Sequence, residues 1–249
     1  MKFFPSKNTV TGGLKIELVV IIGGLIASAH ASMMIVIPVM PRFIELIGGA
    51  VFVFGLAFTL YAVGRFLTNI PAGALSEIIG RKWVVTIGAL GVAVFAFLSG
   101  IPDDVPLFLL FRFLSGVFSS MTIVVGNIIA ADLSTVDNRG RVLGLMHGMQ
   151  LVVGTGSPAV GGLIGEVMGT RYPFYVSGFA VLFFALWAVF RLPETKPDIK
   201  TAPSNLSIKQ VRSALTTSQV SKFLSKNFFT DAKFLLRDSS FMIACILGF

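Results

Sequence analysis

Apolar residues fall in six long blocks, near residues 17–40, 51–73, 83–101, 106–131, 142–167 and 172–190. Each is close to the roughly 20 residues that a helix needs to cross a hydrocarbon layer. Short polar breaks separate the blocks. Pro38 and Pro41 close the first, and Asp103-Asp104 divides the third from the fourth. Arg139-Gly140-Arg141 opens the fifth, and Gly169-Thr170-Arg171 divides the fifth from the sixth. Glycine is abundant inside the blocks, as expected where helices pack closely in lipid. The pattern predicts an all-α membrane protein: a six-helix transmembrane bundle over 17–191, after a short N-terminal segment over 1–16.

Beyond Arg191 the pattern changes. Residues 192–238 are polar, basic and rich in Ser, Thr and Lys. Ile208, Val211 and Leu215 recur at helical spacing with Lys209 and Arg212 between them. That reads as a cytoplasmic linker with short amphipathic helices on the membrane surface rather than as a partner-binding site. Residues 239–249 turn apolar again but are too few to cross a bilayer. They read as the truncated start of a seventh membrane helix.

Charge orients the bundle. Apolar residues make up 55% of the chain and charged residues 13%, against about 25% charge in a typical soluble domain. The net charge of +8 is not a nucleic-acid footprint, because the bases sit between apolar blocks. With the N-terminus inside, sixteen of the twenty Lys and Arg residues lie on the cytoplasmic side. Only Arg42 and Arg171 lie on the other. The positive-inside rule therefore predicts a cytoplasmic N-terminus and a multi-pass protein of the plasma (inner) membrane. Ala27-Ser28-Ala29 resembles a signal-peptidase site, but the apolar run continues through Ile37, past a short signal core. Cys245 is the lone cysteine and His30 and His147 the only histidines, so no metal cluster is expected. No P-loop and no catalytic grouping of His, Cys or paired acids occurs, so neither a cofactor nor an enzyme activity is expected.

Chemistry concentrates at five places. Between the second and third blocks stands Gly73-Ala74-Leu75-Ser76-Glu77-Ile78-Ile79-Gly80-Arg81-Lys82. Gly73 is placed to let a neighbouring helix approach, and Gly80 permits a tight turn. Glu77 and Arg81 sit four apart in the favourable acid-before-base order. Asp132, at the same membrane face after the fourth block, completes a three-charge cluster able to latch helix ends in one state and release them in another.

The second place is an i+4 edge of the second block, Tyr61, Arg65, Asn69, Gly73 and Glu77. Arg65 reads equally as a structural cation or as a lining of the solute pathway. The third is Arg112-Phe113-Leu114-Ser115-Gly116 in the fourth block. Arginine in a span costs about 2.5–3.5 kcal/mol on insertion scales. Ser115, Ser119 and Thr122 follow on nearly the same side, so a polar cavity is expected there rather than a snorkelling side chain. His30, mid-span near Ser28 and Ser32, reads as a hydrogen-bonded packing residue or as a proton carrier. The first and fourth blocks hold no deeply placed carboxylate. Last, Pro158, Gly161 and Gly162 in the fifth block are expected to bend the helix and admit close packing.

The segment from Gly73 to Lys82 resembles the signature of the major facilitator superfamily, with Gly73, Leu75, Glu77, Gly80, Arg81 and Lys82 matching. Glu77 replaces the usual aspartate, and Ile78 replaces the usual base. Arg112 and Gly116 resemble a second signature of the family, with Ser115 in place of a frequent glutamine. Pro158, Gly161 and Gly162 are similar to the signature of its exporters, with Val153 and Ser157 where glycines are usual. Pro193-Glu194-Thr195 is also family-like. The resemblance covers residues 15–197. It implies an inverted repeat of three plus three helices, a reading helped by Gly73-x-x-x-Glu77-x-x-Gly80 and Gly162-x-x-x-Glu166-x-x-Gly169 at the ends of the second and fifth blocks. It further implies a small-molecule substrate moved by alternating access against a missing C-terminal six-helix half, with protons as the coupling ion in an efflux-type antiporter. A sugar or metabolite porter, or a non-transporting scaffold, is the alternative. For Arg112 it implies proton transfer or substrate binding.

Overall fold

The computed structural model describes residues 12–134 and 138–194. The expected linker from residue 195 onward and the segment 239–249 lie outside the described residues. Within them run seven helices: α1 (Gly12–Met34), α2 (Met40–Leu46), α3 (Phe52–Ile79), α4 (Arg81–Ser99), α5 (Val105–Leu133), α6 (Arg139–Val167) and α7 (Tyr172–Arg191). Five of them, α1, α3, α4, α5 and α7, are long and apolar enough to cross a membrane. Helix α6 has 29 residues, ample length for a span, but His147, Gln150 and its glycines dilute its apolar character.

Two boundaries differ from expectation for local reasons. The first span ends at Met34, not near residue 40. Pro38 cannot donate to the carbonyl four residues earlier, which belongs to Met34, and its ring crowds that oxygen. The chain continues in turns and re-forms as the short α2, with Pro41 in its first turn, where a missing N–H costs nothing. The second span runs on to Ile79, so Glu77 belongs to the helix. It stops at Gly80, whose φ of 111° is open to glycine and strained for other residues. At the start of α5, the Asp104 side chain accepts the Leu107 backbone N–H at 3.0 Å, an N-cap bond.

The packing has an internal two-fold pattern. Helix α3 packs on α5 as α6 packs on α1, and α4 packs on α5 as α7 packs on α1. Helices α4 and α7 also pack on each other. Exchanging α1 with α5, α3 with α6 and α4 with α7 reproduces the main packed pairs, as expected of an inverted three-plus-three repeat. The core forms two clusters. One gathers Ile21, Ile22, Leu25, Val85, Ile129 and Val181; the other lies around Phe43, Phe108 and Phe174.

Salt bridges pin the periphery. Arg191 donates twice to Glu17, both at 2.8 Å, tying the end of α7 to the start of α1. At the opposite end Arg171 bonds Asp103 and donates to the Ile101 carbonyl at 2.8 Å. Helices α3 and α6 carry broad exposed apolar faces, among them Phe66, Leu67, Ile70, Leu151, Val152 and Leu163.

Candidate functional site

At one end of the bundle a single arginine joins four parts of the chain. Arg81 opens α4 and is only 9% exposed. Its Nη2 donates to Glu77 of α3 at 2.9 Å, and its Nη1 pairs with Asp132 near the end of α5. Its backbone N–H donates to the Glu194 carboxylate at 2.9 Å, just beyond α7. The Glu77–Arg81 pair was expected from its four-residue spacing, with a tight turn at Gly80. It forms across the break at Gly80, because the turn swings Arg81 back towards the last turn of α3. Glu194 sits where the first N–H groups of α4 are unsatisfied, so its charge also meets the positive end of the helix dipole.

Two neighbours expected in this cluster stand apart from it. Lys82 is half-buried, with its Nζ 6.0 Å from the Trp83 ring centre. Gly73 admits no neighbour: a Cβ there would meet nothing within 4 Å. The close approach in α3 is made one turn beyond Tyr61, at Gly64.

In the middle of the bundle α3 and α5 meet through two glycines. A Cβ on Gly64 would run into the Phe113 carbonyl, and one on Gly116 into the Tyr61 carbonyl. This closeness lets Tyr61 donate to Ser119 at 2.8 Å and Ser120 donate to Asn69 at 2.6 Å. The stripe expected to line a polar cavity is thereby enclosed. Arg112, Ser115, Ser119 and Thr122 are all buried, and the Thr122 hydroxyl turns back to the Phe118 carbonyl at 3.1 Å. What was read from one helix as a cavity face is a helix-packing seam, because small residues on both helices let α3 close over it.

Arg112 itself is 2% exposed and does not snorkel. Its guanidinium lies 5.7 Å from the Phe108 ring centre and 5.3 Å from that of Phe174, and its Nε and Nη2 have no hydrogen-bond partner. Cation–π contact supplies part of the compensation, about 2 kcal/mol for a desolvated pair. Arg65 and His30 are half-buried, and Asn69 is exposed. His30 lies within electrostatic reach of Arg65, and its ring covers Gly154 of α6, where a Cβ would approach the Nε2 to 3.2 Å.

Helix α6 stays continuous through Pro158. Some of its glycines face α1 and the turns that follow it. A Cβ on Gly161 would run into the Ile35 carbonyl, and one on Gly165 into Val39. Gly162 makes only ordinary contact, with a Cβ 3.8 Å from Pro38. Gly154, Gly161 and Gly165 thus do for α6 on α1 and the turns after it what Gly64 and Gly116 do for α3 on α5.

Sequence reasoning noticed Glu194 as family-like but gave it no role. It missed Gly64, Ser120 and the ring cage of Phe108 and Phe174. A glycine in a glycine-rich helix and a phenylalanine in an apolar span carry no signal of their own. Their importance comes from what faces them.

Among the described residues, these features define an all-helical bundle with an internal inverted repeat and helices long and apolar enough to cross a membrane. Residues 22–249 match the Major Facilitator Superfamily, and the chain belongs to that family. It is an integral membrane protein of a family of transporters rather than enzymes. An uncharacterized MFS-type transporter, MJ1560 of Methanocaldococcus jannaschii, is 29% identical over 159 residues, 63% of this chain and 41% of that protein. Multidrug resistance protein MdtL of Salmonella typhimurium is 31% identical over 156 residues, 61% of this chain and 38% of that protein. The chain therefore spans about two-fifths of the length of these curated relatives. Among solved structures, the human organic anion transporter MFSD10 (TETRAN) shares the fold at a TM-score of 0.62 and 19% identity, over 84% of this chain and 56% of that one.

Proposed function

We propose that this chain forms the N-terminal half of a secondary active transporter that exports a small solute by alternating access, with protons as the counter-ion. The N-terminus lies in the cytoplasm, the bundle in the plasma (inner) membrane, and residues 192–238 link it to a second six-helix half. The exposed apolar faces of α3 and α6 are the surfaces such a half would cover. Likeness to multidrug resistance proteins supports the efflux direction.

The observation that carries the reading is the convergence on Arg81. Two carboxylates, from α3 and α5, pair with its guanidinium, and a third, beyond α7, accepts its backbone N–H, all at one end of the bundle. Glu77 is more than half exposed and Asp132 about a third, so each pair is worth nearer 1 kcal/mol than a fully buried pair. Together such contacts reach a few kcal/mol, the size that sets the population of a minor conformational state. The cluster is thus suited to hold helix ends together in one access state and to release them in the other.

The test is transport by the full-length protein. Arg81→Ala is expected to lower transport by about tenfold or more at matched membrane levels, in line with a lost bias of about 1.4 kcal/mol or more. Lys82→Ala, which removes a charge outside the cluster, is expected to leave it within about twofold. Equal, mild losses from both would reduce the cluster to ordinary topogenic charge.

A further inference from the structure

We infer that the solute is a small organic anion, drawn to a positively charged seam at mid-membrane between α1, α3 and α5. The inference rests on the transport reading above and adds the charge class of its solute.

Arg65 is the fourteenth residue of the 28 in α3, so it sits about 20 Å from either end at 1.5 Å per residue. It is half-buried and makes no hydrogen bond or ion pair with the other described residues. One turn before it Tyr61 is fixed to Ser119, and one turn after it Asn69 is fixed to Ser120. Asn69 uses its carbonyl oxygen in that bond and is exposed, which leaves its two amide N–H donors free for a ligand. Helices α1 and α3 make no packed interface with each other, and His30 of α1 lies within electrostatic reach of Arg65. Along this edge of α3 the free donors are the Arg65 guanidinium and the Asn69 amide, with the His30 imidazole within electrostatic reach of Arg65.

Arg112 stands further towards the start of α5, with its guanidinium against Phe108 and Phe174. It is too enclosed to touch a solute, but its charge has no carboxylate beside it and acts through the protein interior, where screening is weak. Every carboxylate among the described residues lies near a helix end or in a connecting segment. Arg65 at mid-span and Arg112 about 10 Å into α5, neither paired with a carboxylate among the described residues, attract a negative group and repel an organic cation. A solute carrying a carboxylate or sulfonate supplies the missing countercharge, and the Arg65 fork and the Asn69 amide give it directed donors.

The full-length protein in lipid vesicles tests this with three fluorescent dyes of similar size: a carboxylated fluorescein, an uncharged analogue and a rhodamine-type cation. Saturable movement of the anion is expected. Arg65→Gln should raise its half-saturation concentration about tenfold or more, the loss of one charge-assisted hydrogen bond. Arg65→Lys should stay within about threefold. Saturable movement of the cation or the neutral dye without the anion overturns the inference and leaves the transport reading standing. Cation movement that requires chloride marks a resident inorganic counter-ion and also overturns it. Anion movement indifferent to Arg65→Gln removes the seam from recognition. No protein-dependent movement of any dye, with the protein inserted and monodisperse, overturns the transport reading and the inference with it.

Discussion

The Glu194 carboxylate accepts the backbone N–H of Arg81 at 2.9 Å, and the same carboxylate occupies the space that a side chain on Gly80 would need. One Glu194 oxygen lies 2.5 Å from where that Cβ would stand. The bond and the glycine therefore depend on each other. Gly80→Ala is expected to be strongly destabilising, because it adds a penalty of about 1–3 kcal/mol for an essentially glycine-only backbone conformation to the collision. Glu194→Ala alone loses an N-terminal cap, about 1 kcal/mol. The double variant should be less damaged than the sum of the two singles, since removing Glu194 relieves the collision. Thermal unfolding of the four proteins in detergent measures this coupling. Simple additivity would mean that Glu194 is not seated over Gly80.

Two glycines in the same part of the chain should respond in opposite ways. Gly116→Ala drives a methyl group into the Tyr61 backbone carbonyl, which cannot move without shifting α3. A loss of roughly 1–3 kcal/mol is expected, as for overpacking of a well-packed core. Gly73→Ala meets open space inside a helix and should be neutral or more stable by up to about 1 kcal/mol. Parallel melting curves decide it, and a severe loss at Gly73 would mean that another chain covers that face in the intact protein.

Arg112 makes a contrast between stability and function. Its guanidinium is buried with Nε and Nη2 unpaired, so Arg112→Leu removes a desolvated charge and should leave insertion and folding intact or improved. If that charge biases the pathway, transport falls sharply in the same variant. Arg112→Lys keeps the charge but loses the planar group that stacks on Phe108 and Phe174, and should retain only part of the activity. Wild-type transport by Arg112→Leu at matched membrane levels would take the residue out of the mechanism.

Orientation is open to direct labelling. In a variant lacking Cys245, single cysteines at positions 82 and 139 should react only from the cytoplasm, and those at 104 and 170 only from the opposite side. Labelling of position 104 from the cytoplasm would reverse the assigned topology.

How much was legible in the chain depended on the range of the interaction. The existence and order of the long helices follow from runs of apolar residues, because a bilayer imposes the same length requirement on every span. Most boundaries followed from local chemistry of the same kind, such as Asp104 and Pro106 opening α5. The pairing of Glu77 with Arg81 was also readable, since both lie within five residues of one another.

The tertiary structure alone decided which polar residues meet and which are shut away. Ser115, Ser119 and Thr122 form one stripe on one helix, and a stripe has the same spacing whether it faces a cavity or a neighbour. Gly64 and Gly116 settle the matter by letting α3 approach until Tyr61 reaches Ser119. Glu194 becomes the cap of α4 only when the end of α7 is brought across 113 residues of chain to Arg81. Periodicity specifies the face on which a residue lies. What covers that face is set by the close approach of helices distant in sequence, and that information resides in pairs of positions rather than in either one.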